Sequence, residues 1–197
     1  MKKYLVIGNP IEHSLSPKLH NFWIKKNNID AIYEKKKINN KQEIEDIISQ
    51  IKNNKIQGIN VTVPFKRSVI SFLDELTPIA KEIQSVNTIY KKDNKIVGDN
   101  TDVDGFENAL KYINYNLKDK RIFIIGAGGV VPSIIKALRR LGASNIFLSN
   151  RTKKKAEFLK NIYPDIKIID WGKIIDFDMI INATSLGLKK NDIISLD

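Results

Sequence analysis

A glycine-rich segment that follows an apolar run carries residue types that point directly to a chemistry. Its five residues are Gly126, Ala127, Gly128, Gly129 and Val130. Glycines permit a tight turn after a strand, and the free N–H groups at the start of the next helix can bind a phosphate. The third glycine of the usual dinucleotide motif is replaced by Val131, so an ordinary strand-to-helix turn remains the alternative.

The polar segment Asn150–Lys155 indicates which nucleotide would bind. In dinucleotide folds that use NAD, an acidic residue after the second strand binds the ribose hydroxyls. This chain has no carboxylate there, and Arg151 and three lysines stand in its place. An arginine at this position suits a 2′-phosphate, so the sequence favours NADP. A solvated basic helix start is the alternative, although cations at a helix N-terminus oppose the helix dipole.

Polar clusters in the first hundred residues could bind and transform a substrate. Ser14 and Ser16 follow a predicted strand, where open α/β sheets bind ligands. On spacing alone, Ser16 is better explained as the N-cap of the next helix. Lys66 follows a proline that breaks a strand, and a partly buried lysine can act as an acid or base, with a surface charge as the alternative. Asp102 could orient a hydroxyl beside Lys66, or it could cap a helix.

The elements that must position these residues alternate between short apolar strands and helical patterns, which predicts parallel βαβ units and an α/β fold. The first half has predicted strands at 4–8, 31–37, 58–63, 86–91 and 95–98, and helices at 16–27, 41–52 and 78–84. The second half has predicted strands at 121–125, 145–149, 167–169 and 179–181, and helices at 102–113, 130–141 and 153–162. The boundary falls near residues 100–102, which gives an α/β domain over 1–101 and a dinucleotide-binding domain over 102–197.

Composition limits the partners. The net charge is +11, but only five of the 33 basic residues are arginine, the lysines are spread along the chain, and no nucleic-acid-binding motif accompanies them. With no cysteine and two histidines, we expect neither disulfides nor a metal site. The first apolar run is too short for a signal peptide, and no window reaches the roughly 18 apolar residues of a membrane span. We therefore expect a cytoplasmic protein that binds anionic small molecules and neither nucleic acid nor membrane.

Seven segments resemble, in the same order, the motifs of the shikimate dehydrogenase family. They are Ser14–Ser16, Asn60–Lys66, Val86–Thr88, Asn100–Gly105, Gly126–Gly129, Asn150–Thr152 and Asn182–Gly187. Each is modest alone, but the ordered set is specific. The resemblance implies an N-terminal α/β substrate domain followed by a doubly wound, Rossmann-like NADP-binding domain. It also implies the reversible, NADPH-dependent reduction of 3-dehydroshikimate to shikimate in the biosynthesis of chorismate and the aromatic amino acids.

The same resemblance implies roles for individual residues. Those expected to hold the hydroxyls and carboxylate of shikimate are Ser14, Ser16, Thr62, Lys66, Asn87 and Asp102. Lys66 would be the catalytic acid and base, paired with Asp102. Those expected to hold NADP are Gly126, Ala127, Gly128, Gly129 and Val130 at the pyrophosphate, Asn150, Arg151 and Thr152 at the 2′-phosphate, and Thr184 and Ser185 at the nicotinamide.

The second domain is expected to be C-terminally incomplete, because a doubly wound sheet has about six strands and four can be placed. A fragment, a naturally truncated protein and a protein completed by a partner all remain open. A quinate/shikimate dehydrogenase and a binding-only remnant are the alternative functions. The serine loop and Thr62 favour shikimate over quinate, and Arg151 argues against NAD. The protein is expected to be a monomer or a homodimer.

Overall fold

Two β-sheets organise the chain, one in each of the units Met1–Thr101 and Asp102–Asp197 of the computed structural model. The structure describes residues 1–187 and 191–196. Each unit buries its own cluster of aliphatic side chains between sheet and helices. The predicted α/β class is confirmed.

The first unit has six strands and three helices among its elements. In chain order they are β1 (Lys2–Gly8), α1 (Ser16–Lys26), β2 (Ala31–Lys37), α2 (Lys41–Lys52), β3 (Gly58–Val61), a 3₁₀ helix (Ser68–Phe72), β4 (Glu75–Leu76), α3 (Pro78–Ile83), β5 (Thr88–Lys92) and β6 (Lys95–Asp99). The strand order is β2-β1-β3-β5-β6-β4. The expected parallel pairing holds for β1 with β2 and β3, whereas β5 runs antiparallel to both β3 and β6. Asp93 and Asn94 form the two-residue turn that joins β5 to β6, with φ of 48° and 63°.

Helix α2 shows how the sequence pattern fixes packing in this unit. Its isoleucines recur at the helical period, and all four are buried: Ile44, Ile47, Ile48 and Ile51. Burying one such side chain stabilises the fold by about 2–3 kcal/mol. The Asn40 side chain accepts a hydrogen bond from the Glu43 N–H at 3.0 Å, so an N-cap sets where the helix begins.

Within residues 102–187 and 191–196, the second unit is a parallel sheet with three helices. Its elements are α4 (Asp102–Tyr112), β7 (Arg121–Ile125), α5 (Val131–Arg140), β8 (Asn145–Ser149), α6 (Lys153–Ile162), β9 (Lys167–Ile169) and β10 (Met179–Asn182). The strand order is β10-β7-β8-β9, and every pair is parallel. Gly142, at φ +86°, follows α5 and confirms the predicted helix stop.

Three details of the first unit differ from the prediction. Strand β3 ends at Val61 rather than Val63, since the chain turns away toward Pro64, and the Val63 carbonyl accepts from the Asn9 N–H at 2.9 Å. Strand β5 begins at Thr88 rather than Val86, whose N–H donates to the turn after β3 instead. The 3₁₀ helix and β4 carry no periodic pattern and were not predicted. None of the helices in residues 1–187 and 191–196 has the length and apolar character that crossing a bilayer would need.

Candidate functional site

The candidate substrate site lies where β1 and β3 end and β5 begins. Strands β3 and β5 are antiparallel, with Asn60 opposite Thr88, so the carboxyl end of β3 meets the start of β5. Gly8 is the last residue of β1, and a Cβ there would come within 2.5 Å of Thr62 Cγ2. The glycine therefore allows Thr62, just past β3, to pack directly beside the end of β1.

The serine loop joins β1 to α1. The Ser16 N–H donates to Ser14 Oγ at 3.3 Å. The N-cap interpretation of Ser16 was wrong, because Leu15 occupies the N-cap, Ser16 is the first helical residue, and no side chain caps the helix. The Ser16 hydroxyl instead forms a hydrogen bond with Tyr33, in the neighbouring strand β2. Both serines are half-buried, so each is partly open to a ligand.

Asn87 is buried, and its side chain is held by several hydrogen bonds. Its side chain is only 8% exposed. Its Oδ1 accepts hydrogen bonds from the Thr101 N–H at 3.0 Å and the Thr88 hydroxyl at 2.9 Å. Its backbone carbonyl accepts from the Val61 N–H at 2.8 Å. Asn87 is therefore fixed beside the end of β3.

Lys66 lies in the turn after β3 and is half-buried. Its backbone carbonyl accepts a hydrogen bond from the Val86 N–H at 2.7 Å, which ties it to the segment that carries Asn87. Asp102 is the first residue of α4, in the second unit, where a carboxylate is favoured by the helix dipole. The pairing of Lys66 with Asp102 remains a prediction.

Two further residues connect this site, although neither is assigned a role in the sequence analysis. Tyr33 Oη donates to Asn60 Oδ1 at 2.6 Å. Asn60 Nδ2 donates to Thr88 Oγ1 at 3.2 Å and to the Asn87 carbonyl at 3.3 Å. Burial raises the pKa of Tyr33, so the phenol keeps its proton. Asn60 belongs to a motif that resembles the family, which was a usable signal, whereas a tyrosine within a strand is ordinarily interpreted as core.

The candidate cofactor site lies where β7, β8 and β10 end. These strands are neighbours and parallel, so the three following loops meet at one edge of the sheet. Gly126 has φ +110°, and a Cβ there would lie 2.8 Å from the backbone carbon and oxygen of Ala183. Only glycine allows this close approach, which brings the loop after β7 against the loop after β10.

Asn150 joins the loops after β7 and β8. Its Oδ1 accepts from the Ala127 N–H at 3.0 Å, and its Nδ2 donates to the Thr152 carbonyl at 2.8 Å. Arg151 and Thr152 beside it are exposed. Asn150 therefore orders both loops through its side chain, while Arg151 stands free to meet an anion.

The residues present fit a dinucleotide phosphate. Among the described residues, the one atom within 4 Å of a Cβ on exposed Gly128 is the Ala183 carbonyl oxygen, at 3.8 Å, which leaves room beside this backbone for a ligand. Val130 is the N-cap of α5, and its apolar side chain cannot accept a hydrogen bond from the first turn. Lys153, Lys154 and Lys155 begin α6 with exposed side chains, which places positive charge after Arg151. This arrangement fits the pyrophosphate and the 2′-phosphate of NADP.

The turn after β10 is shaped by Asn182, for which the sequence analysis predicts no separate role. Asn182 Oδ1 accepts from the Thr184 N–H at 3.0 Å and the Thr184 hydroxyl at 2.7 Å, and its Nδ2 donates to the Leu186 carbonyl at 2.9 Å. Thr184 is half-buried and Ser185 is exposed. A short polar residue that follows a strand often folds a turn in this way, and this general signal could have identified it.

Two family models match the chain, one in each unit. The shikimate dehydrogenase substrate binding domain matches residues 6–89. The model described as shikimate / quinate 5-dehydrogenase matches residues 107–191.

Individual proteins agree with this assignment. The shikimate dehydrogenase (NADP(+)) of Pelagibacter ubique is 59% identical over 196 residues, which cover 100% of this chain and 74% of that protein. The crystal structure of shikimate dehydrogenase from Aquifex aeolicus has a TM-score of 0.86 at 38% identity, over 98% of this chain and 72% of that one. The Thermus thermophilus shikimate 5-dehydrogenase, in complex with NADP(H) and shikimate, has a TM-score of 0.84 at 30% identity, over 95% and 70% of the two chains. The chain belongs to the shikimate dehydrogenase family.

Proposed function

We propose that this chain catalyses the reversible, NADP-dependent reduction of 3-dehydroshikimate to shikimate, a step in the formation of chorismate and the aromatic amino acids. The observation that carries the proposal is 59% identity along the chain to a shikimate dehydrogenase (NADP(+)). The polar side chains at the ends of β1 and β3 support it, because they suit a small, hydroxylated substrate. Quinate as the preferred substrate is not favoured, since the relatives compared are named for shikimate.

The first unit supplies the substrate contacts in this proposal. The Ser14 and Ser16 hydroxyls bind the substrate carboxylate, and Thr62 and Asn87 bind ring hydroxyls. Hydroxyl and amide groups both donate and accept, so they discriminate a polyol from an apolar ring. Asn87 arrives already oriented by its own hydrogen bonds, which reduces the entropy lost on binding.

Lys66 supplies the proton in this proposal. Its ammonium group donates a proton to the carbonyl oxygen as the alcohol forms, and its amine takes that proton back in the reverse direction. The chemistry that NADP supplies when bound is the donation of a hydride to the carbonyl carbon, or its acceptance from that carbon in the reverse direction. Asp102 binds a substrate hydroxyl and favours the charged form of the lysine.

The second unit supplies the cofactor contacts. The N–H groups of 126–130 bind the pyrophosphate, and Arg151 and Thr152 bind the 2′-phosphate. Asn150 contributes chiefly by holding the two loops together, with Thr184 and Ser185 beside the nicotinamide. The monomeric or homodimeric state and the cytoplasmic location remain predictions from the sequence, which light scattering and cell fractionation would test.

The test is NADPH formation by the purified chain with shikimate and NADP⁺. Lys66→Ala should lower kcat by about 10²–10⁴-fold and change the KM for shikimate much less, because it removes the proton transfer and little binding. Lys55→Ala is the matched control, since this exposed lysine lies outside the site.

Equal losses in kcat and in shikimate binding would contradict the acid/base role of Lys66. A folded wild-type chain that binds NADP⁺ and shikimate without turnover would contradict the proposed function and favour a binding-only protein. Parallel assays with quinate, and with NAD⁺ in place of NADP⁺, check the substrate and cofactor preferences.

A further inference from the structure

Tyr33 is buried and held by several contacts, although it lies in β2, the edge strand of the first sheet. It is 4% exposed. The Asn21 side chain of α1 donates to its carbonyl at 2.8 Å and accepts from its N–H at 3.0 Å. The His20 ring stacks on it at 4.2 Å between centroids, with 7° between the planes. The phenol hydroxyl is thereby held in one place, directed toward the ends of β1 and β3.

A directed chain of hydrogen bonds begins at this hydroxyl. The phenolic proton is donated to Asn60 Oδ1 at 2.6 Å, so the NH₂ group of Asn60 must face the other way. That group donates to Thr88 Oγ1 at 3.2 Å. The Thr88 hydroxyl has therefore accepted one bond, and its own proton goes to Asn87 Oδ1 at 2.9 Å. Each bond fixes the direction of the next.

The direction matters at Asn87, because an amide that turns over exchanges a donor for an acceptor. The bond from Thr88 holds Oδ1 of Asn87 on the protein side, where the Thr101 N–H also donates to it at 3.0 Å. The same phenol has only one proton, and that proton is given to Asn60. Tyr33 can therefore only accept from the Ser16 hydroxyl, which forms a hydrogen bond with it.

We propose, building on the proposed function, that Tyr33 is a positioning residue for the substrate site. It holds Ser16 directly, and it holds Asn87 through the chain of hydrogen bonds that runs over Asn60 and Thr88, here called the relay. Tyr33 itself contacts no substrate. It sets which atoms Ser16 and Asn87 present to the carboxylate and hydroxyls of the substrate. Burial raises the pKa of Tyr33, so the phenol keeps its proton and remains the donor to Asn60 near neutral pH.

The test is Tyr33→Phe in the whole chain, with steady-state kinetics in both substrates. The ring and its packing remain, but Asn60 loses its donor and Ser16 its acceptor. The KM for shikimate should rise about tenfold, as expected when buried polar groups lose a partner, while the KM for NADP⁺ stays within about twofold. Tyr4→Phe is the matched control, because Tyr4 packs in the same cluster and its hydroxyl makes no hydrogen bond within residues 1–187 and 191–196.

Thr88→Val removes the hydrogen bond from Thr88 to Asn87, the last of the relay, and leaves Tyr33 unchanged. This variant tests the proposal if Tyr33→Phe does not fold. It should raise the KM for shikimate by a similar factor. The double variant should be little worse than either single variant, because both cut one chain of bonds.

An unchanged KM for shikimate in Tyr33→Phe and Thr88→Val would overturn the proposal while the proposed function stands. Equal rises in the KM for both substrates, with a lowered unfolding temperature, would indicate a merely structural role and also overturn it. A folded wild-type chain without turnover would overturn both proposals, so the two failures are distinguishable.

Discussion

The substrate region of the first unit is held chiefly by a network of side-chain hydrogen bonds, whereas the cofactor region of the second unit combines the side-chain bonds of Asn150 with a close backbone contact at Gly126. Asn60 and Asn87 lie in a network in which each amide satisfies several neighbours. Gly126 contacts the Ala183 backbone. Arg151, which lies just after β8, is exposed. In the first region the residues proposed to bind the substrate are part of the hydrogen-bond network of the fold, and in the second the cation proposed to bind the cofactor is exposed and outside it.

The largest effect is expected from Gly126→Ala. The new Cβ would lie 2.8 Å from backbone atoms of Ala183, at φ +110°, so both strain and overlap oppose it. The free energy of unfolding should fall by about 3 kcal/mol, measured by urea denaturation.

Gly128→Ala is the control for this variant, because its Cβ would lie at an ordinary contact distance of 3.8 Å from the Ala183 carbonyl oxygen. Its stability should change by less than about 0.5 kcal/mol, while its KM for NADP⁺ rises. Equal destabilisation by both substitutions would show that backbone contact at Gly126 does not hold this region together.

The next effect in size tests the first region. Asn87→Ala leaves the Thr101 N–H and the Thr88 hydroxyl without their acceptor, so the free energy of unfolding should fall by about 2 kcal/mol and the KM for shikimate should rise. Denaturation and kinetics on the same sample measure both. Asn108→Ala, at an exposed position of α4, should change neither. A variant that lost substrate affinity with full stability would break the comparison.

Arg151→Ala should change the cofactor kinetics and leave the stability unchanged, in contrast to Asn87→Ala. Loss of one charge-assisted contact to the 2′-phosphate should raise the KM for NADP⁺ about tenfold, or about 1.4 kcal/mol, and narrow the preference over NAD⁺. The free energy of unfolding should stay within about 0.5 kcal/mol, because the side chain is exposed. Lys118→Ala, another exposed cation of this unit, is the control. Unchanged NADP⁺ kinetics would remove Arg151 from the cofactor site.

The smallest effect concerns pH. Burial lowers the pKa of His20, so below about pH 6.5 the unfolded chain binds a proton more readily than the folded one. Stability should therefore fall as the pH drops through that range. His20→Gln should lose about 1–2 °C less of its unfolding temperature between pH 7.5 and 5.5 than the wild type. An equal loss of unfolding temperature in the wild type and in His20→Gln would contradict the assignment.

Much of the fold followed from local pattern. The isoleucine period of α2 and the apolar runs of β7 and β8 predicted those elements with their observed bounds. Strand β4 did not follow, since two residues hold too little pattern and only their pairing with β6 defines them. The antiparallel insertion of β5 was missed because neighbouring strands in a sheet are chosen by tertiary packing.

The candidate site was also predictable only in part, because sequence motifs show local features and not contacts between distant segments. Motifs located the loops, since a strand end and a glycine turn are local features. The relay from Tyr33 to Asn87 joins residues far apart in the chain, and no single segment shows that their side chains meet. Ser16 was assigned to the wrong local role, because its hydroxyl is used by a residue of the next strand rather than by its own helix.

The Asn21 side chain has a further consequence for the outer edge of the first sheet. An edge strand exposes alternate N–H and carbonyl groups, and these can recruit a strand from another molecule. At the middle of β2 both outward groups of Tyr33 are already taken by the Asn21 amide, which imitates a neighbouring strand for one residue. An incoming strand would have to displace that amide, so continuous sheet extension through β2 is blocked at its centre, and self-association of this chain by that edge is disfavoured.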